Sequence, residues 1–211
     1  MKIRLFTLAA LALFLFCHSA DAQKSTVTRT LSSFDKVGIS GGYDAVILKE
    51  GSTESVSLEV SGIDPDKITT EVKNGTLNIG MKKGSYSDFK ARITVTYKSL
   101  KAIANSGSSD IVAESVIKAD EFELASSGSG NFSGAFDVKE LEVAISGSSD
   151  MKLKGQAGKQ EIAISGSGDV DASDLKGQEA KVAISGSGDV KLSVSGPVRS
   201  SISGSGNVEN N

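Results

Sequence analysis

Apolar and polar residues alternate with period two along most of this chain, and in its second half the alternation itself repeats. Six near-copies of one phrase punctuate it: Ser106-Gly-Ser-Ser-Asp110, Ser127-Gly-Ser-Gly-Asn131, Ser146-Gly-Ser-Ser-Asp150, Ser165-Gly-Ser-Gly-Asp169, Ser185-Gly-Ser-Gly-Asp189 and Ser203-Gly-Ser-Gly-Asn207. Their first serines stand 21, 19, 19, 20 and 18 residues apart. The residue after each phrase is apolar every time: Ile111, Phe132, Met151, Val170, Val190, Val208. The next position is mostly polar (Val112, Ser133, Lys152, Asp171, Lys191, Glu209), and the one after is small or apolar in the first five copies (Ala113, Gly134, Leu153, Ala172, Leu192). Before the phrase, Leu124, Val143, Ile162 and Val182 are set to point inward, as are Ile145, Ile164, Ile184 and Ile202. Glu123, Glu142, Glu161, Lys181 and Arg199 are set to point outward. Each unit is therefore strand, Ser-Gly turn, strand, polar connection.

A fixed period near twenty marks units that bury their apolar faces only jointly, by stacking. In-register stacking puts like residues ~4.8 Å apart. The predicted fold is all-β, a single-stranded β-solenoid (β-helix) with coils of about 20 residues. A sandwich gives no reason to repeat one turn six times, and a propeller blade needs ~40 residues or more.

Upstream the pattern is looser. Val56 to Val60 and Ile93 to Tyr97 alternate as strands, and Ile68 to Met81 around Asn74-Gly75 predicts a hairpin, since Asn-Gly tolerates the positive φ of a tight turn. Pro65 marks a loop. Ser40-Gly-Gly-Tyr-Asp44 is a degenerate copy of the later phrase. No capped helical stretch is expected outside the leader. The chain divides into a signal peptide (1–22), an N-terminal extended segment (23–33), an irregular β-rich part that caps the solenoid (34–104), and the regular repeats (105–211).

Lys2 and Arg4, the apolar run Leu5 to Cys17, and Ala20-Asp21-Ala22 carry the signal-peptide reading. Such a leader holds the chain's one Cys (Cys17) and one His (His18), so the mature protein has no zinc site of Cys or His, no Ser-His-Asp triad and no disulfide. It also holds Lys2, Arg4 and Asp21, which moves the net charge from −3 to −4 once removed. That mild, unclustered acidity argues against nucleic acid, and no transmembrane segment is expected in the mature chain. Trp is absent, which leaves poor material for stacking sugars.

The phrase supports two readings. Its Gly, Ser and Asp/Asn can build a corner whose side chains bond nearby backbone amides. Alternatively, Asp150, Asp169 and Asp189 form a carboxylate column for a hard cation such as Ca²⁺; adjacent pairs would repel by roughly 1 kcal/mol in water. A second feature is the outward column Ala125, Ala144, Ala163 and Ala183, continued by Ala104 and Ser201 and followed by serines. It predicts a flat, uncharged strip, either because large side chains do not fit beside the corner or because it is an interaction face for another chain or a polymer. After Asn207 the sequence shows no amphipathic cap, so the C-terminal solenoid end exposes strand edges and is a candidate contact for a homo-oligomer. Asp clusters lie only in the Asp column and in Asp169-Val-Asp171-Ala-Ser-Asp174, and the array's one Arg, Arg199, stands at its far end, so catalysis is not expected.

Taken in order, Phe34-Asp-Lys-Val-Gly-Ile-Ser-Gly-Gly-Tyr-Asp-Ala-Val-Ile, the Lys73 to Ile79 hairpin, Ile93 to Leu100 and the Ser-Gly-Ser-Gly-Asp series resemble the putative auto-transporter adhesin head domain family (head GIN domain) of Bacteroidetes and related bacteria. The resemblance covers about residues 30 to 208. It implies an exported, noncatalytic, right-handed solenoid in the periplasm or on the surface of a Gram-negative cell, and supplies no active-site residues. The expected role is a cell-envelope module that binds a protein or polysaccharide through flat solenoid faces. The alternative is a cation-dependent carbohydrate-binding or polysaccharide-cleaving β-helix.

Overall fold

A computed structural model describes residues 24–211; the signal peptide expected over 1–22 lies outside the described residues. All seventeen strands join one sheet. In chain order they are β1 Ser25–Thr30, β2 Lys36–Ile39, β3 Ala45–Glu50, β4 Ser55–Ser61, β5 Ile68–Lys73, β6 Thr76–Met81, β7 Lys90–Tyr97, β8 Ala102–Asn105 and β9 Ile111–Ala113. The longer strands of the array follow: β10 Ile117–Ser126, β11 Phe132–Ile145, β12 Met151–Gly166, β13 Val170–Gly177 and β14 Glu179–Gly186. The last three are β15 Val190–Val194, β16 Val198–Gly204 and β17 Val208–Asn210.

Two parallel ladders run the length of the stack, one on each side of the Ser-Gly corner. Strands that precede a corner pair in the order β6-β2-β8-β10-β11-β12-β14-β16. Strands that follow one pair as β7-β3-β9-β11-β12-β13-β15-β17. The fold is thus the expected β-solenoid with coils of about 20 residues. Its parallel stack begins well before residue 105, because Ser40 to Asp44 joins β2 to β3 as the later phrases join their strands. The Tyr43 amide donates to Ser109 Oγ at 2.9 Å, which locks that first corner under the second.

Antiparallel strands close the N-terminal end. β5 pairs with β6 through the Asn74-Gly75 turn, whose φ angles are 51° and 76°. β4 pairs with β7, and β1 with β4. Arg29 of β1 ties the two closing units together: its guanidinium donates to the carbonyls of Ile68 (2.7 Å) and Pro65 (2.9 Å) and to Thr70 Oγ1 (3.0 Å). Pro65 opens a single turn of 3₁₀ helix, and Asp64 caps it by accepting from the Asp66 amide.

Period-two alternation fills the core. Leu124, Val143, Ile162 and Val182 are buried, as are Ile111, Phe132, Met151, Val170 and Val190. Burial of each such side chain is worth about 1.5–3 kcal/mol. Phe136 sits at the centre of an aromatic group, 5.4 Å from Phe122 and 5.9 Å from Phe132 between ring centroids. The last described coil departs from the expectation: Ile202 is 43% exposed and Val208 half-buried, since no further coil among the described residues stacks on them. The irregular period also has a location. Lys152 and Lys154 face Asp171 and Asp174, so β13 carries one extra residue there. Asp171 accepts from the Ser173 amide and hydroxyl within that bulge.

One buried carboxylate holds the cap in place. Glu54, 6% exposed, accepts from Ser33 Oγ (2.9 Å) and the Phe34 amide (3.3 Å) and pairs with Lys98 Nζ (3.3 Å). Burial pushes its carboxyl up, but those three partners together outweigh burial and hold it below the ordinary range. A carboxyl lowered by folding adds stability above its unfolded pKa of about 4.3 and loses that contribution as pH falls through the lower folded value. Glu54→Gln is expected to cost about 1–2 kcal/mol at pH 7. The melting-temperature gap between Glu54→Gln and wild type should shrink below pH 4; a gap that persists at pH 2 would contradict this assignment.

Candidate functional site

The repeated corner is built from the backbone outward. In every coil the carbonyl of the phrase's first glycine accepts the amide of the next coil's third-position serine: Ser148 on Gly128 (3.1 Å), Ser167 on Gly147 (2.9 Å), Ser187 on Gly166 (2.9 Å). The stacked glycines therefore lie so close that a Cβ on Gly166 would fall well inside van der Waals contact of the Gly147 carbonyl oxygen. Gly166 also sits at φ +151°. Two copies have serine in place of the second glycine, and both hydroxyls are buried. Ser109 Oγ donates to Gly41 O (3.2 Å) and Ser149 Oγ to Gly128 O (3.1 Å), with Ser126 Oγ 2.6 Å from Ser149 Oγ. The sequence does not separate these inward serines from the exposed ones, since the residue type is the same.

The Asp/Asn column is a hydrogen-bonded ladder. Each Oδ1 accepts the amide of its counterpart one coil on: Asp110 from Asn131 (3.0 Å), Asn131 from Asp150 (3.0 Å), Asp150 from Asp169 (3.1 Å), Asp169 from Asp189 (2.8 Å), Asp189 from Asn207 (2.8 Å). An amide on each carboxylate offsets the repulsion between Asp150, Asp169 and Asp189, and Asn serves in the same geometry. Among the described residues no three Asp, Glu, His or Cys side chains converge as metal ligands would. Asp169→Asn is therefore expected to be near neutral and Asp169→Ala to cost about 1 kcal/mol. Titration with Ca²⁺ should leave the melting temperature unchanged. A rise with Ca²⁺ that Asp169→Asn abolishes would show a cation held by the column instead.

On the other side of the corner lies the alanine strip. Ala104, Ala125, Ala144, Ala163, Ala183 and Ser201 pair directly, strand to strand, and Gly38 and Asn78 extend the column into the cap. Beside them runs a serine column that includes Ser106, Ser127, Ser146, Ser165, Ser185 and Ser203. Eight rungs at ~4.8 Å make a strip roughly 34 Å long. It is the floor of an open groove of about 990 Å³, walled at the cap end by Thr69 and Met81 of the β5–β6 hairpin. The strip is thus grooved rather than flat. The hairpin wall is the part that the repeat alone does not reveal. Gly38 stands in the alanine column beside Ala104, and Ser40, the first residue of the degenerate phrase copy, follows it on the groove lining.

Charge is confined to the flank. Glu123, Glu142, Glu161, Lys181 and Arg199 pair in sequence beside the alanine column. Lys181 Nζ lies 2.6 Å from Glu161 Oε1, and that hydrogen bond holds the Glu161 carboxyl below its ordinary range. Glu140 hydrogen-bonds Lys159 and lifts its ammonium above the usual value. These exposed pairs order the flank and add little stability. A second, smaller groove of about 580 Å³ follows the Asp column, between Val112, Ser133, Lys152 and Asp171. No helix among the described residues is long and apolar enough to cross a membrane.

A family model described as putative auto-transporter adhesin, head GIN domain, matches residues 33–211. No curated protein matches the chain. Among solved structures, a putative adhesin from Bacteroides fragilis is similar with a TM-score of 0.76 at 22% identity, over 90% of this chain and 97% of that one. A putative lipid binding protein from Parabacteroides distasonis is similar with a TM-score of 0.69 at 20% identity, over 90% and 98%. A putative adhesin from Parabacteroides merdae follows at 0.60 and 19%, over 90% and 97%. At such identities the likeness establishes the fold.

Proposed function

Because the chain belongs to the putative auto-transporter adhesin, head GIN domain family, we propose that it is an exported, noncatalytic module of the cell envelope that docks along the alanine–serine groove. The observation that carries this reading is the distribution of charge. An uncharged floor of methyls and hydroxyls runs the length of the ladder, while every ionic side chain of that face stands to one side. A face that excludes charge favours a neutral, extended partner, and a groove along the stack axis matches a linear one. The partner fitting that description is a protein segment or polysaccharide of the envelope, in the periplasm or at the surface. The leader read from residues 1–22 and the adhesin relatives support this placement.

Ala144→Glu combined with Ala183→Glu places two carboxylates on the groove floor at exposed or half-buried positions. The double variant is expected to keep its melting temperature and lose at least tenfold in binding to envelope fractions. Unchanged binding would sink the docking role. The same assay on vesicles of neutral lipid separates a lipid surface from a protein or glycan. A polysaccharide array with reducing-end detection, run with and without Ca²⁺, is expected to show no cleavage; a signal there would favour the carbohydrate-cleaving alternative in the groove beside the Asp column.

A further inference from the structure

The two ends of the stack are finished differently. At the N-terminal end, β5, β4 and β1 cover the ladders with antiparallel strands. At the other, among the described residues, β16 pairs only with β14, and β17 only with β15. β17 is three residues long and is fastened by Asn210, whose side chain accepts from the Val194 amide (2.8 Å) and donates to the Val194 carbonyl (2.9 Å). β16 is different. Its seven residues run in unbroken register against β14, with no proline inside the strand and one charge, Arg199. Exposed edges are ordinarily blunted by charge, proline, bulges or brevity, and β16 has little of any. Ile202, aligned with the buried Ile184, stands exposed at this end of the core.

We propose that the β16 edge pairs antiparallel with the β16 edge of a second copy, about a two-fold axis through Ser201. An isologous contact of this kind closes after two subunits. The axis is normal to the sheet, so inward side chains of both copies stay on the core side and outward ones on the groove side. Arg199 falls opposite Ser203 of the second copy, so no like charges meet, and Ser200 falls opposite the second copy's Ile202. Ser201 meets its own counterpart. The alanine column then runs on without a break into the second copy and doubles in length, while the serine column of each copy meets the Arg199 column of the other. The contact does not depend on what the groove binds.

The test is the mass of the protein purified after expression of the full chain, by sedimentation equilibrium. A dimer is expected, and Ser200→Lys with Ile202→Lys, both at exposed positions, should give a monomer of unchanged circular dichroism and melting temperature. Ser201→Cys adds a second readout, because the one native cysteine lies in the leader. Under mild oxidation it should form a disulfide-linked dimer, whereas Ser40→Cys at the opposite end of the strip should not. A wild-type monomer at the highest attainable concentration would overturn the proposal. So would a dimer that survives the two lysines, or cross-linking as fast at Ser40→Cys as at Ser201→Cys.

Discussion

Gly166→Ala is expected to cost about 3 kcal/mol or more, the range reserved for forced backbone clashes in a packed interior. The new methyl group would occupy the space of the Gly147 carbonyl oxygen, and that oxygen accepts the Ser167 amide. Neither party is a flexible side chain, so relief requires the two coils to separate and their corner hydrogen bond to break. The φ of +151° adds a second penalty for any residue with a Cβ. Gly42→Ala is the matched control: it lies in the degenerate corner, yet no heavy atom lies within 4 Å of where its Cβ would be. Urea unfolding of the two variants side by side should show a large loss for Gly166→Ala and a change within about 0.5 kcal/mol for Gly42→Ala. Equal losses would mean that the corner glycines are not held by stacking.

Phe136→Ala should cost about 3–5 kcal/mol, the usual penalty for emptying an aromatic site in a core. Phe136 is 1% exposed and packs between Phe122 of the coil before and Phe132 of its own. In a stack each coil is stabilised by its neighbours, so the damage should spread along the axis rather than stay local. Hydrogen exchange is expected to show lost protection in β10 and β12 while the β4–β7 pair keeps its own. Uniform loss across all strands would indicate one indivisible cooperative unit, and loss confined to β11 would contradict joint stabilisation.

The repeat was legible because one physical constraint, in-register stacking, writes itself into several columns at once. Corner glycine, inward aliphatic and outward alanine all recur at the same offset, as Gly166, Ile162 and Ala163 do relative to Gly186, Val182 and Ala183. The cap was legible only in pieces. Asn74-Gly75 announces its hairpin locally, but nothing local tells β6 to run parallel beside β2 and make the groove wall. That pairing spans forty residues and is settled by which edge remains open once β2 has paired with β8. The Asp column follows from the repeat, but its chemistry does not. Whether its oxygens face amides or a cation depends on where each backbone N–H points, which residue type does not encode.

The central claim is that each coil advances the chain by one strand spacing. Spin labels at Val112 and Glu209, five paired rungs apart through Ser133, Lys152, Asp171 and Lys191, measure it directly. In samples diluted with unlabelled protein, a single narrow separation near 24 Å is predicted from five steps of ~4.8 Å. Moving the second label back to Lys191 should shorten it by one step. A broad distribution, or a separation that fails to fall by that step, would contradict the stacked account.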